Sequence, residues 1–244
     1  MIKHIPNTIT AGNLFFGCLS IVATFDGNPT LAATYIILAA VLDFFDGFAA
    51  RILKVQGELG KQLDSLADVV SFGVAPGFIF YMHSQNHLVF EYSFLQFVPL
   101  MVIISYLPFL LIIFSAVRLA KFNIDPRQSD SFIGVPTPAN ALLICCIPLV
   151  MEHGPYLAQT VFTSFLFLSI YPLLFSYLLV AELPLFALKF KHFGWKDNEV
   201  RWVFILLSIL LISIFRYFGI GLSIILYVLL SLFIHLRKKY EIQS

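Results

Sequence analysis

The feature that most constrains this chain is a succession of apolar runs, each about as long as a bilayer is thick. Eight can be marked, at approximately 8–25, 31–51, 66–82, 94–117, 137–152, 159–181, 201–216 and 217–236. A helix needs ~20 apolar residues to cross a hydrocarbon core, and a helix satisfies its own backbone where no water can. The residues between the runs do not dilute this pattern: 59% of the chain is hydrophobic and 12% is charged, with a mean hydropathy of +0.90. Soluble domains carry about 25% charged residues, and a water-soluble fold of this composition would leave large apolar patches bare. The expectation is an all-α, polytopic transmembrane bundle of eight spans in a single membrane domain, residues 1–244.

The net charge of +1 says little, but the placement of the charges fixes an orientation. With eight spans, Lys3, Arg51, Lys54, Lys61, Arg118, Lys121, Arg127, Lys189, Lys191, Lys196, Arg201, Arg237, Lys238 and Lys239 fall on one side, and Arg216 alone on the other. Basic residues concentrate on the cytoplasmic side, so both termini are expected there. The 182–200 connection, "ELPLFALKFKHFGWKDNEV", mixes lysines with aromatic residues and suits a segment lying along the headgroups. Gly219 and Gly221 mark either a tight turn between the last two spans or an early start of the last helix. Cys18, Cys145 and Cys146 lie in apolar runs with neither metal-ligand spacing nor a disulfide framework. The six histidines are scattered.

Against this background "DFFDGFAARILKVQGELGKQLDSLAD" stands out, with four aspartates in residues 43 to 68. Asp43, Asp46, Gly47 and Ala50 share one face of a helix, with Phe44, Phe45 and Phe48 pointing elsewhere. Gly60, Asp64 and Asp68 recur every four residues on the next helix, with Ala67 and Ser71 on the same side. Two helices joined by a short basic turn can therefore oppose two acidic, small-residue faces. One aspartate at mid-membrane costs ~2.5–3.5 kcal/mol, and converging ones also repel one another. Arg51, Lys54 and Lys61 could pair with them as interfacial ion pairs. They are better placed towards the turn, whereas a divalent cation could sit between the carboxylates. An all-oxygen ligand set favours Mg²⁺, Mn²⁺ or Ca²⁺ over Zn²⁺. Four carboxylates suffice for two ions, the usual clamp for displacement at phosphorus.

The series Asp43-x2-Asp46-Gly47-x2-Ala50-Arg51-x8-Gly60-x3-Asp64-x3-Asp68 resembles the signature of the CDP-alcohol phosphatidyltransferases at every fixed position. The resemblance implies transfer of a phosphatidyl group from a CDP-linked lipid to an alcohol, with release of CMP. It implies metal ligation by Asp43, Asp46, Asp64 and Asp68, with Mg²⁺ or Mn²⁺, in two ions, as cofactor. Asp68 is then the general base, with Asp64 as the alternative. Gly47, Ala50 and Gly60 would line a cytidine pocket, Arg51 would lie near the pyrophosphate, and Asn7 and Thr10 of "PNTIT" would match an Asn-x-x-Thr that contacts the nucleotide. It also implies a catalytic core of six spans over about 1–181, a cytoplasmic connection at 182–200, and two additional spans at 201–236. The active site would face the cytoplasm of a bacterial or archaeal cell. A homodimer is common in such a family, and no nucleic-acid partner is expected.

The acceptor is read from looser matches. "DSLADVVSFGVAPG", "RLAKFN" and "FIGVPTPAN" resemble the phosphatidylserine synthase branch, with CDP-diacylglycerol and L-serine as substrates. A zwitterionic acceptor needs a cation for its carboxylate, and Arg118 could fork onto it, with Lys121, Asn123 and Ser71 nearby. Membrane anchoring is the plainer account of Arg118 and Lys121. Inositol phosphate and glycerol phosphate are the alternative acceptors. A cation transporter would show flux that needs no CDP-lipid, and a silent scaffold would tolerate Asp68→Asn.

Overall fold

The structure, a computed structural model, describes residues 4–55, 57–89, 98–125, 132–185, 194–195 and 198–243. Nine helices account for nearly all of them: α1 (Ile5–Phe25), α2 (Pro29–Ile52), α3 (Glu58–Leu88), α4 (Pro99–Ile124), α5 (Thr137–His153), α6 (Tyr156–Thr163), α7 (Phe165–Val180), α8 (Glu199–Phe215) and α9 (Tyr217–Gln243). The chain is an integral membrane protein with an all-helical architecture. α1, α2, α3, α4 and residues 217–235 of α9 are each long and apolar enough to cross a bilayer, and α6 with α7 makes a sixth span if that pair, bent by 67°, is counted as one. The eight-span expectation additionally counts α5 and α8, each 17 residues long. Much of the basic 182–200 connection, at 186–193 and 196–197, lies outside the described residues, and so do Lys3 and Arg127.

Local chemistry sets the helix ends. The Asn28 side chain accepts from the Leu31 N–H at 3.0 Å and Pro29 opens α2, meeting one of the free amides of the first turn where proline needs no donor. Ser164 caps α7 in the same way, accepting from Phe167 at 3.3 Å. Small residues then let the helices approach. α1 and α2 form the most extensive interface, and α2 carries the fully buried Ala32, Ala33, Ile36 and Ala39. A Cβ on Gly17 would strike the Ser71 side chain, and one on Gly77 would lie 2.5 Å from Ile112 Cγ1, so α3 is pressed against α1 on one side and α4 on the other. Tight packing of this kind drives helix association in lipid, where burial of apolar surface gives little.

Two departures from helix position the site. α3 widens into a π-helical segment at Val69–Val74, immediately after Asp68, which shifts the facing of everything beyond it. The segment before α5 is tied to the end of α7 by a two-residue antiparallel pairing, Phe132–Ile133 with Pro184–Leu185, and by Val135 N–H donating to the Leu178 carbonyl at 3.0 Å. Between them Gly134 sits at φ +75, and a Cβ there would lie 2.5 Å from the Leu179 carbonyl oxygen, so only glycine fits. Arg216, at φ 50, turns α8 into α9, and a Cβ on Gly219 would collide with the Leu211 carbonyl. The turn itself is at Arg216, and Gly219 and Gly221 lie within α9, which begins at Tyr217, so of the two options the early helix start is the one observed. Tyr227 of α9 belongs to the same buried cluster as Ala32, Phe72 and Ile144.

Candidate active site

α2 ends at Ile52 and α3 begins at Glu58, and the acidic faces expected from helical spacing do meet. One carboxylate oxygen from each of Asp43, Asp64 and Asp68 lies within 4.8 Å of the other two. Phe44, Phe45 and Phe48 point outward, 63%, 48% and 45% exposed, as lipid-facing rings should. Asp46 is buried but is turned aside from the trio: Thr10 Oγ1 donates to its Oδ2 at 2.6 Å. Thr10 thus positions an acid directly, a contact its expected place beside the nucleotide did not include.

The alternative of interfacial ion pairs fails. Among the described residues no lysine or arginine lies within salt-bridge distance of the four acids. Arg51 Nε donates to its own helix at the Gly47 carbonyl, 2.9 Å, and Lys61 Nζ to the Asn123 carbonyl, 2.8 Å. Like charges near 4.8 Å apart repel by roughly 3.5 kcal/mol per pair at an effective dielectric of ~20. A hard divalent cation is the partner that three convergent carboxylates and no histidine or cysteine fit. Asp43, Asp64 and Asp68 are the residues placed to hold it.

Small residues leave room next to this cluster. A Cβ on Gly47 would meet nothing within 4 Å, and one on Gly60 only the Asn7 side-chain oxygen at 3.2 Å. Asn7 thus lies against Gly60, while the exposed Arg51 bonds back to Gly47 one turn earlier. Asp68 is 8% exposed and Arg118 of α4 is 6% exposed. The Arg118 Nε has no hydrogen-bond partner, and its guanidinium interacts electrostatically with Asp68 and with Tyr227. Anchoring at the interface does not describe a buried guanidinium. Lys121 is exposed, and Asn123 is engaged elsewhere, its Nδ2 donating to Ser65 Oγ at 2.7 Å. Ser71 donates its hydroxyl to the Asn13 backbone carbonyl at 3.0 Å.

Two site residues escaped the sequence reading. Asn13 Nδ2 donates to Asp68 Oδ1 at 3.3 Å. The signal was present: Asn7, Thr10, Asn13, Gly17, Ser20 and Thr24 recur every three or four residues, a polar and small stripe along α1. Tyr227 comes from the last helix, and no spacing argument connects it to Arg118. Both were hidden by distance along the chain.

The described cavity lies elsewhere. It encloses about 480 Å³ at the opposite end of the bundle, among Thr24, Asn28, Thr30, His83, His87 and Glu152, and none of the aspartates borders it.

Residues 3–181 match the family model described as CDP-alcohol phosphatidyltransferase. The chain belongs to this family. It is similar to the CDP-diacylglycerol–serine O-phosphatidyltransferases of Helicobacter pylori, 34% identical over 86% of this chain and 81% of the relative, and of Bacillus subtilis, 34% identical over 78% and 92%. It is also similar to an archaetidylserine synthase of Methanothermobacter thermautotrophicus, 33% identical over 57% of this chain and 55% of that protein. The family model spans α1 to α7, and α8 and α9 lie beyond it.

Proposed function

We propose that the protein transfers the phosphatidyl group of CDP-diacylglycerol to the hydroxyl of L-serine, giving phosphatidylserine and CMP. The observation that carries this reading is the convergence of Asp43, Asp64 and Asp68 within 4.8 Å inside the family's own motif, in a chain whose relatives are named for serine. The archaeal relative's name changes the lipid and keeps serine, so the acceptor is the element those names share.

In this reading the serine hydroxyl attacks the phosphorus that bears the diacylglycerol, the new P–O bond replaces the one to CMP, and CMP leaves. Asp68 takes the hydroxyl proton, being the most buried of the trio and the one facing Arg118. Asp43, Asp46, Asp64 and Asp68 are the proposed ligands of two Mg²⁺ or Mn²⁺ ions, Asp46 through the oxygen that Thr10 leaves free. When bound, such ions screen the pyrophosphate charge and stabilise the departing phosphate. Asn7, Gly47, Ala50, Gly60 and Arg51 shape the cytidine and pyrophosphate side, Thr10 holds Asp46, and Arg118 takes the serine carboxylate. Ser71 and Asn123 act as braces. Positive-inside placement puts this end at the cytoplasmic face of the cell membrane.

The test is acceptor choice. Purified protein is given CDP-diacylglycerol with labelled serine, inositol phosphate or glycerol phosphate, and CMP release is measured. Release with serine supports the assignment; release only with a phosphorylated alcohol would move the protein to another branch.

A further inference from the structure

Asn13 is fully buried and has its amide split between two fates. Its Nδ2 donates to Asp68 Oδ1 at 3.3 Å, which fixes the orientation of the amide because a carboxylate can only accept from the nitrogen. Its Oδ1 is buried and has no hydrogen-bond partner. Buried side-chain acceptors are seldom left unanswered, and an exception calls for a ligand or a functional reason. The residue cannot simply turn away. Its backbone carbonyl accepts from Ser71 at 3.0 Å, and one turn further along α1 Gly17 lets the Ser71 side chain press against the helix.

A second orphan faces the same carboxylate. Arg118 Nε is a buried donor with no partner, and its guanidinium interacts with Asp68 from α4. Asp68 is thus flanked by a neutral acceptor from α1 and a cationic donor from α4. An acceptor-only oxygen calls for an N–H or O–H donor on the ligand, and a guanidinium calls for an anion.

We infer that Asn13 reads the ammonium group of the acceptor alcohol and so selects an amino-bearing substrate. This deepens the serine assignment and rests on it. With the hydroxyl on Asp68 and the carboxylate on Arg118, the ammonium occupies the third direction, on the neighbouring carbon to the hydroxyl. The result is two substrate groups aligned beside one base and one carboxamide. It also rejects by omission: an alcohol without an N–H donor leaves Oδ1 as unpaired as it is now, and sites built to hydrogen-bond a group discriminate strongly against analogues lacking it.

The experiment compares L-serine with 3-hydroxypropanoate, which is serine without its amino group, in the full-length protein with CDP-diacylglycerol. Each is assayed for CMP release, and 3-hydroxypropanoate as an inhibitor of serine turnover where its own turnover is too slow to see. Asn13→Leu keeps the size of the side chain and removes both the Oδ1 acceptor and the bond to Asp68; loss of that bond slows both substrates alike, so the ratio between them reports Oδ1. Its preference for serine over 3-hydroxypropanoate should fall by about 10- to 100-fold, with the loss concentrated in the KM for serine and the KM for CDP-diacylglycerol close to that of the unaltered protein. If Asn13→Leu does not fold, Asn13→Ser, whose hydroxyl is too short to reach both partners, carries the same ratio test. A preference unchanged in whichever variant folds, or an equal loss with both acceptors, would overturn the inference and leave Asn13 as a support for Asp68. Failure of the unaltered protein to use serine at all would instead overturn the serine assignment.

Discussion

The two ends of this bundle treat charge in opposite ways. At the signature end three carboxylates crowd within 4.8 Å of one another, and an arginine and an asparagine each keep a buried polar atom without a partner. At the other end, around the cavity lined by His83 and Glu152, the charged and imidazole groups are answered nearby. Thr30 donates to Glu152 at 2.5 Å, His153 lies 3.6 Å from the same carboxylate, and His83 Nε2 is 3.0 Å from the Phe162 carbonyl. A cleft whose charged groups are already matched asks nothing of a ligand. A cluster that its own protein leaves unbalanced persists because something else balances it. The matching of charged groups, rather than the presence of a cavity, separates the two ends.

The largest effects should follow from touching the unbalanced end. Asp68→Asn preserves shape and the contact to Asn13 while removing the base, so CMP release should drop on the order of 10²- to 10⁴-fold with an unchanged melting curve in detergent. Asp43→Asn and Asp64→Asn should be comparable, and chelation should abolish the activity of the unaltered protein until Mg²⁺ or Mn²⁺ is returned. If Asp68→Asn retained most of its activity, the contrast between the ends would lose its meaning.

Much of this end was legible because its information is local. Asp43, Asp46, Asp64 and Asp68 sit on two consecutive helices, and 3.6-residue periodicity alone places their faces. The apolar runs were equally plain, since a helix in lipid has no choice but to hide its backbone. What could not be read depends on contacts between distant segments. Thr10 reaches Asp46 across 36 residues, Asn13 reaches Asp68 across 55, and Tyr227 approaches Arg118 from a helix outside the stretch that the family model matches. Asn123 shows the same lesson in reverse: close to Arg118 in sequence, it faces Ser65 instead, because residues five apart on a helix do not share a side. The π-helical segment after Asp68 was also invisible, since no residue in "VVSFGV" announces it.

Intermediate effects should distinguish an acid that is held from one that is merely near. Thr10→Val removes a hydrogen bond to a charged group, worth about 1.5–3 kcal/mol, so activity should fall between about 10- and 100-fold through misplacement of Asp46. An activity equal to that of the unaltered protein would show that Asp46 needs no holding. The glycines sharpen the point further. Gly47→Leu adds a side chain into open space, so it should leave the melting temperature unchanged and raise the KM for CDP-diacylglycerol several-fold. Gly17→Ala forces a Cβ onto Ser71, and overpacking of that kind costs about 1–3 kcal/mol. One glycine is kept for a ligand and the other for a neighbouring helix, and thermal melting set beside CMP release tells them apart.

The smallest effect belongs to the balanced end and is the most exposing test of the comparison. Glu152 is half exposed, and its bond from Thr30 joins the start of α2 to the end of α5. Solvent competes for both groups, so losing the charge through Glu152→Gln should lower stability by less than ~1 kcal/mol and leave CMP release within experimental error. The amide still offers an oxygen to Thr30, so even the geometry should survive. Asp43 lies 14 residues along α2 from Pro29, about 21 Å by helical rise, too far for a screened charge to be felt across the bundle. A fall in CMP release with the melting temperature intact would therefore require the two ends to communicate through the packed helices, and the cavity around His83 and Glu152 would then have to be treated as part of the catalytic machinery.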